Sequence, residues 1–179
     1  RGLNQTWKDK GRGIFRPIGR YLAARGVSPD HLTILGLCLS MLAALLLGRG
    51  AFFAAGFVLL LAGLCDILDG DVARERGIVS QFGAFLDSTL DRLGEALVFV
   101  GIAGYYLSTL VELSLDPSLV ASQLARGLEP RTWAVVALTA MMALVGSFMV
   151  SYTRARAEGL DLECRVGWFE RPERLGLII

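Results

Sequence analysis

Ala51–Cys65 reads AFFAAGFVLLLAGLC, fifteen residues without a charge, and runs straight into Asp66-Ile67-Leu68-Asp69. A stretch that is apolar on every face has no side to offer water, which is the mark of a membrane span rather than of a surface helix. Three more uncharged runs lie to either side, Leu32–Gly48, Ala96–Val111 and Thr132–Thr153. With flanking turns added, each is near the roughly 20 residues that cross a bilayer core. Composition agrees: 54% of the residues are hydrophobic and 20% are charged, against about a quarter charged in a soluble domain. The expected fold class is all-α, a polytopic transmembrane helix bundle.

Net charge is +1, so orientation comes from where the cations lie. If the four runs are spans, residues 1–30, 66–92 and 154–179 share one side and carry fifteen Lys and Arg; the other side has only Arg49, Arg126 and Arg131. That bias puts the first group in the cytoplasm. Cys38, Cys65 and Cys164 lack metal-ligand spacing and are expected to be packing residues. A lone histidine, His31, stands at a helix start, where an interfacial position accounts for it.

Residues 1–30 form a basic lead-in. Arg12, Arg16 and Arg20 recur every four residues, while Ile14, Ile18, Tyr21 and Leu22 gather on another face. This suits an N-terminal amphipathic helix lying in the membrane interface, starting near Arg16 with Pro17 in its first turn; a solvated basic tail is the other reading. Ser28-Pro29-Asp30 opens the first span, with Ser28 or Asp30 as cap. Gly48-Arg49-Gly50 is a tight reversal, the second span runs to about Leu68, and the third covers roughly Gly83–Tyr106. Segment 112–131 is an external connection with room for a surface helix. The fourth span ends near Tyr152, and Leu175-Gly176-Leu177-Ile178-Ile179 resembles a span that begins and stops. The expected division is an interfacial segment over 1–30 and a transmembrane domain over 31–179 that lacks its last helices.

Ionisable groups inside spans are costly and usually functional. Asp66 and Asp69 are three residues apart near the end of the second span; Asp87 and Asp91 are four apart at the start of the third. Each pair shares a helix face, and the hairpin between them can bring all four together. Two unit charges about 4 Å apart repel by roughly 1 to 4 kcal/mol at effective dielectrics of about 80 to 20. The cluster therefore calls for cations or partial protonation. With oxygen donors and no His or Cys beside them, Mg²⁺, Mn²⁺ or Ca²⁺ is favoured over zinc. Two divalent ions would balance four carboxylates and suit chemistry at a diphosphate. Gly70 and Ala73 let a ligand approach the backbone, Arg74 offers a donor fork for phosphate, and Gly83 leaves room one turn before Asp87. Glu95, one turn beyond Asp91, reads as a helix-pairing or water-facing residue, with support of the metal ligands as the other reading. Gly101 and Gly104 allow close helix packing.

The array Asp66-x2-Asp69-Gly70-x2-Ala73-Arg74-x8-Gly83-x3-Asp87-x3-Asp91 resembles the signature of the CDP-alcohol phosphotransferase family, with all eight fixed positions present. The resemblance implies that Asp66, Asp69, Asp87 and Asp91 hold metal, Mg²⁺ or Mn²⁺, as two ions. It implies that Asp91 also takes the proton from the acceptor hydroxyl. It assigns Gly70, Ala73, Arg74 and Gly83 to the CDP-lipid, and Pro29, Asp30 and Ser80 match positions that complete the nucleotide site. A homodimer in the plasma membrane, with its active site on the cytoplasmic side and no nucleic-acid partner, is the implied setting.

Ser151–Glu158 and Phe169–Leu175 look like the phosphatidylinositol phosphate synthase branch and its archaeal counterpart. That likeness implies inositol 1-phosphate as acceptor, with Arg154, Arg156, Arg171 and Arg174 meeting its phosphate. The same arginines also satisfy the charge bias, which leaves their role open. Three other readings stay alive: glycerol 3-phosphate as acceptor, CDP-archaeol as donor in place of CDP-diacylglycerol, and an ion-coupled transporter. The last explains four aspartates but not the Gly-x2-Ala-Arg fixed between them.

Overall fold

The computed structural model describes residues 17–78, 80–160 and 162. Among these the regular structure is helical: α1 over 17–24, α2 Pro29–Gly48, α3 Phe52–Glu75, α4 Gln81–Leu115, α5 Pro117–Ala125 and α6 Pro130–Glu158. Helices α2, α3, α4 and α6, of 20, 24, 35 and 29 residues, are long and apolar enough to cross a membrane. The protein is an all-α integral membrane protein. At 1.5 Å per residue α4 extends about 52 Å, well beyond a hydrocarbon core of about 30 Å.

The helices outrun their apolar runs. α3 continues past Leu68 to Glu75, α4 past Tyr106 to Leu115, and α6 past Tyr152 to Glu158. Hydropathy marks where lipid ends, whereas the hydrogen-bond ladder continues until a residue stops it. For α3 the stop comes at the Arg76-Gly77 turn, where Gly77 has φ +63°. At the head of α2, Ser28 is the N-cap residue and Pro29 the first helical residue, but the expected side-chain cap bond is not made; Asp30 sits in the first turn, where its charge complements the helix dipole. Asp116 caps α5, the surface helix for which segment 112–131 had room, by accepting from the Ser118 N–H at 2.9 Å.

α2 packs against both α3 and α4, and α4 packs against α6; α3 and α4 meet through side chains, as at Phe52 and Tyr105. α2 is thus the common partner of the two helices that carry the aspartates. The packed faces are built from small residues: Ala43, Ala55, Ala62, Gly94, Gly101, Ala103, Ala137 and Ala140 are all buried. Large side chains such as Phe53, Phe57, Leu60, Leu138 and Met142 point outward. This inversion of the soluble pattern is what a lipid solvent requires, since lipid tails satisfy Leu and Phe while close backbone approach needs small residues. The closest approach is at Gly101, where an ideal Cβ would stand 2.4 Å from the Ala44 carbonyl oxygen; Gly104 meets nothing within 4 Å.

The end of the bundle remote from the aspartates carries an aromatic group. Phe52 and Tyr105 meet edge-on at 5.0 Å, Tyr105 and Tyr106 at 5.2 Å, and Tyr106 lies 5.4 Å from Trp133, in the manner of an interfacial belt. Gly50 there has φ +76°, which suits the reversal between α2 and α3. An apolar cavity of about 630 Å³ opens beside this group, lined by Leu47, Phe57, Leu60 and Ile102 among others. Among the described residues no carboxylate lines it.

At the other end α1 is clamped to α3. Arg20 pairs with Glu75 at 3.0 Å, and Arg76 donates to the Val27 carbonyl at 2.9 Å. Leu22, Ala23 and Val27 pack on Leu32, Leu68 and Val72, while Ile18 and Tyr21 stay exposed. So the apolar face expected to meet lipid is divided, with Leu22 turned to α3. The earlier part of the amphipathic segment, including Arg12 and Arg16, lies outside the described residues, as do Cys164 and Leu175–Ile179.

Candidate active site

Asp66 comes from the latter half of α3, and Asp87 and Asp91 from the first turns of α4. Each offers a carboxylate oxygen, and the three oxygens lie within 4.8 Å of one another. Three like charges at that distance, around the membrane's edge, demand a counter-charge. The donor set is all hard oxygen, which fits Mg²⁺ or Mn²⁺.

Asp69 lies outside that trio. It is buried at 5% exposure, and its Oδ2 accepts from the Thr33 hydroxyl of α2 at 2.8 Å. Three helical positions leave two side chains about 60° apart, enough for Asp69 to reach Thr33 of α2 while Asp66 meets the carboxylates of α4.

Arg74 lies in the last turn of α3, half-exposed, and its Nη2 donates to Asp71 Oδ1 at 2.5 Å. Its guanidinium passes over Gly70, where an ideal Cβ would meet Nη1 at 3.4 Å. In this structure the room left by Gly70 is therefore used by Arg74 itself. Ala73 is half-buried. Ser80 caps α4, its Oγ accepting from the Gly83 N–H at 2.9 Å, and a Cβ on Gly83 would stand 3.1 Å from that oxygen. Pro29 and Asp30 head α2, and the Thr33 oxygen that serves Asp69 lies 3.1 Å from the Pro29 carbonyl. Arg154 pairs along α6 with Glu158 at 3.1 Å, both exposed, and Arg156 is exposed in the last turn of α6. Arg171 and Arg174 lie outside the described residues.

Three residues escaped the sequence reading. Thr33 gives no signal, because its partner is on another helix. Asp71 could have been noticed, as an acid three positions before Arg74. Arg92 adjoins Asp91; its Nη1 donates to Glu95 at 2.9 Å and to Ser151 Oγ on α6 at 2.6 Å. Glu95 pairs with Arg92 inside α4, and it is Arg92 that reaches across to α6.

A bundle of membrane-crossing helices with a carboxylate trio and a phosphate-suited arginine at one end defines a class. Residues 26–160 match the model of the CDP-alcohol phosphatidyltransferases, and the chain belongs to that family of enzymes. It is 33% identical over 178 residues to the archaetidylinositol phosphate synthase of Methanothermobacter thermautotrophicus, covering 99% of this chain and 77% of that protein. It is 36% identical over 167 residues to the phosphatidylinositol phosphate synthase of Mycobacterium tuberculosis, covering 93% and 67%. The crystal structure of the Mycobacterium tuberculosis enzyme with CDP-DAG bound matches with a TM-score of 0.70 at 36% identity, over 92% of this chain and 72% of that one. A further structure of that enzyme, in complex with manganese and citrate, matches with a TM-score of 0.68 at 37% identity, over 89% and 66%.

Proposed function

We propose that the protein transfers the phosphatidyl group of CDP-diacylglycerol to inositol 1-phosphate, giving phosphatidylinositol phosphate and CMP. The convergence of Asp66, Asp87 and Asp91 within 4.8 Å carries the reading. The donor and acceptor follow from the likeness to the mycobacterial enzyme. Asp91 takes the proton of the acceptor hydroxyl as its oxygen attacks the lipid-side phosphorus. The bond from that phosphorus to the bridging oxygen breaks, and CMP leaves with the electron pair. Bound metal, two ions of Mg²⁺ or Mn²⁺ held by Asp66, Asp69, Asp87 and Asp91, would neutralise the diphosphate and polarise it for attack. Pro29, Asp30, Gly70, Ala73, Arg74, Ser80 and Gly83 form the nucleotide end of the site. Arg154, Arg156, Arg171 and Arg174 meet the acceptor's phosphate. The bias of Lys and Arg supports a cytoplasmic setting for this end, and the family resemblance supports the plasma membrane. Residues 1–30 act as an interfacial segment and 31–179 as the transmembrane domain. A homodimer is the working unit, on the strength of the family resemblance.

The test is CMP release by the full chain in detergent with CDP-diacylglycerol and Mg²⁺ or Mn²⁺, offering inositol 1-phosphate, glycerol 3-phosphate, inositol and serine separately. Release with inositol 1-phosphate alone is expected, and chelation should abolish it. Release with glycerol 3-phosphate instead would overturn the acceptor. The archaeal relative supports a second donor, so CDP-archaeol is run in parallel; preference for it would replace the diacylglycerol.

A further inference from the structure

We propose that Asp71 is a positioning residue for the CDP-lipid: it holds Arg74 in the orientation that meets the donor's phosphates, and α1 seats it. The inference rests on the reading of Arg74 as a donor contact and goes beyond it by assigning a function to a carboxylate outside the metal cluster.

Asp71 is 7% exposed. A buried carboxylate is costly unless something on the molecule uses its charge. One of its oxygens accepts from Arg74; the other is buried without a hydrogen-bond partner among the described residues. An ordinary i,i+3 acid–base pair on a helix surface would leave the acid in water. Here the acid is buried and the base half-exposed, at 9% and 55% of their side-chain surfaces, so the pair is an anchor with its cationic end presented outward. The guanidinium also lies over Gly70 within ordinary contact distance of where a Cβ would be. Arg74 is thereby held by Asp71 before any ligand arrives, in space that a side chain at position 70 would take. A long side chain already ordered loses less rotamer freedom when it binds phosphate.

The cover over Asp71 comes from α1. Gly19 is buried against it, and a Cβ on Gly19 would stand 2.8 Å from the Asp71 Cβ. The Arg20–Glu75 pair holds α1 down one residue later. The interfacial helix is therefore part of the wall of the donor site.

Initial rates of CMP release by the full chain decide the matter. CDP-diacylglycerol is varied at saturating inositol 1-phosphate, and then the reverse, for wild type, Asp71→Asn, Asp71→Ala, Arg74→Ala and the double variant Asp71→Ala/Arg74→Ala. Melting is measured alongside, and the near-isosteric Asp71→Asn guards against a folding defect in Asp71→Ala. The KM for CDP-diacylglycerol should rise about three- to tenfold in both Asp71 variants, with kcat and the acceptor KM within about twofold of wild type. The double variant should be no worse than Arg74→Ala alone. An unchanged donor KM in both Asp71 variants, a parallel loss in kcat and both KM values, or additive effects in the double variant would each overturn the proposal. If Arg74→Ala alone leaves the donor KM unchanged, the reading of Arg74 falls and the proposal with it. If Arg74→Ala is impaired while the Asp71 variants are not, only the proposal falls.

Discussion

Asp91→Asn should lower CMP release by about a hundred- to ten-thousandfold, the range that a positioned general base contributes, while the protein still folds and still binds CDP-lipid. The amide keeps the shape of the carboxylate and a carbonyl oxygen but cannot accept the acceptor's proton. Folding should not suffer, because the change removes one of three like charges whose oxygens lie within 4.8 Å, relieving repulsion. The measurement is kcat at saturating substrates and metal, with equilibrium binding of CDP-diacylglycerol beside it. Asp66→Asn is the informative comparison: weaker metal binding should be offset in part by excess Mn²⁺, whereas Asp91→Asn should not be rescued by any concentration. Wild-type turnover in Asp91→Asn would remove Asp91 from the chemistry altogether.

The second large effect concerns folding. Gly101→Val places a branched side chain where even a Cβ would stand 2.4 Å from the Ala44 carbonyl oxygen and 3.0 Å from the Ala44 Cα. Backbone cannot swing aside as a side-chain tip can, so α2 must part from α4. The expected loss is about 3 kcal/mol or more, at the upper end of overpacking in a tight core. It would be read as a collapse of the melting temperature and of the monodisperse fraction in detergent. Gly104→Val is the control: nothing lies within 4 Å of its Cβ position, so the outer side of α4 accepts it. Equal tolerance of the two substitutions would show that the α2–α4 contact does not govern stability.

These two glycines also show where sequence reading stops. Both sit in one uncharged run and both permit close packing, yet only the partner helix decides that Gly101 faces Ala44 and Gly104 faces outward. The same limit applies to the aspartates. Their presence, their spacing and the oxygen chemistry they imply were legible, because charges in a span stand out against an apolar background. Which of them converge was not, because that depends on α2 packing on both α3 and α4 and drawing Asp69 to Thr33. The four crossings were legible for the reason given by hydropathy, and their ends were not. Arg74 and Glu75 continue α3, and Arg154 and Glu158 support the last turn of α6 with an i,i+4 pair.

Helix α2 contributes none of the trio's carboxylates, yet both helices that do pack on it. On one side Gly36 lies near the Ala62 carbonyl and Cys65; on the other Ser40 lies against Gly94. The girth of α2 along that slim face works as a calliper for the pair, so the distance from Asp66 to Asp87 and Asp91 is inherited from helix packing at residues outside the cluster.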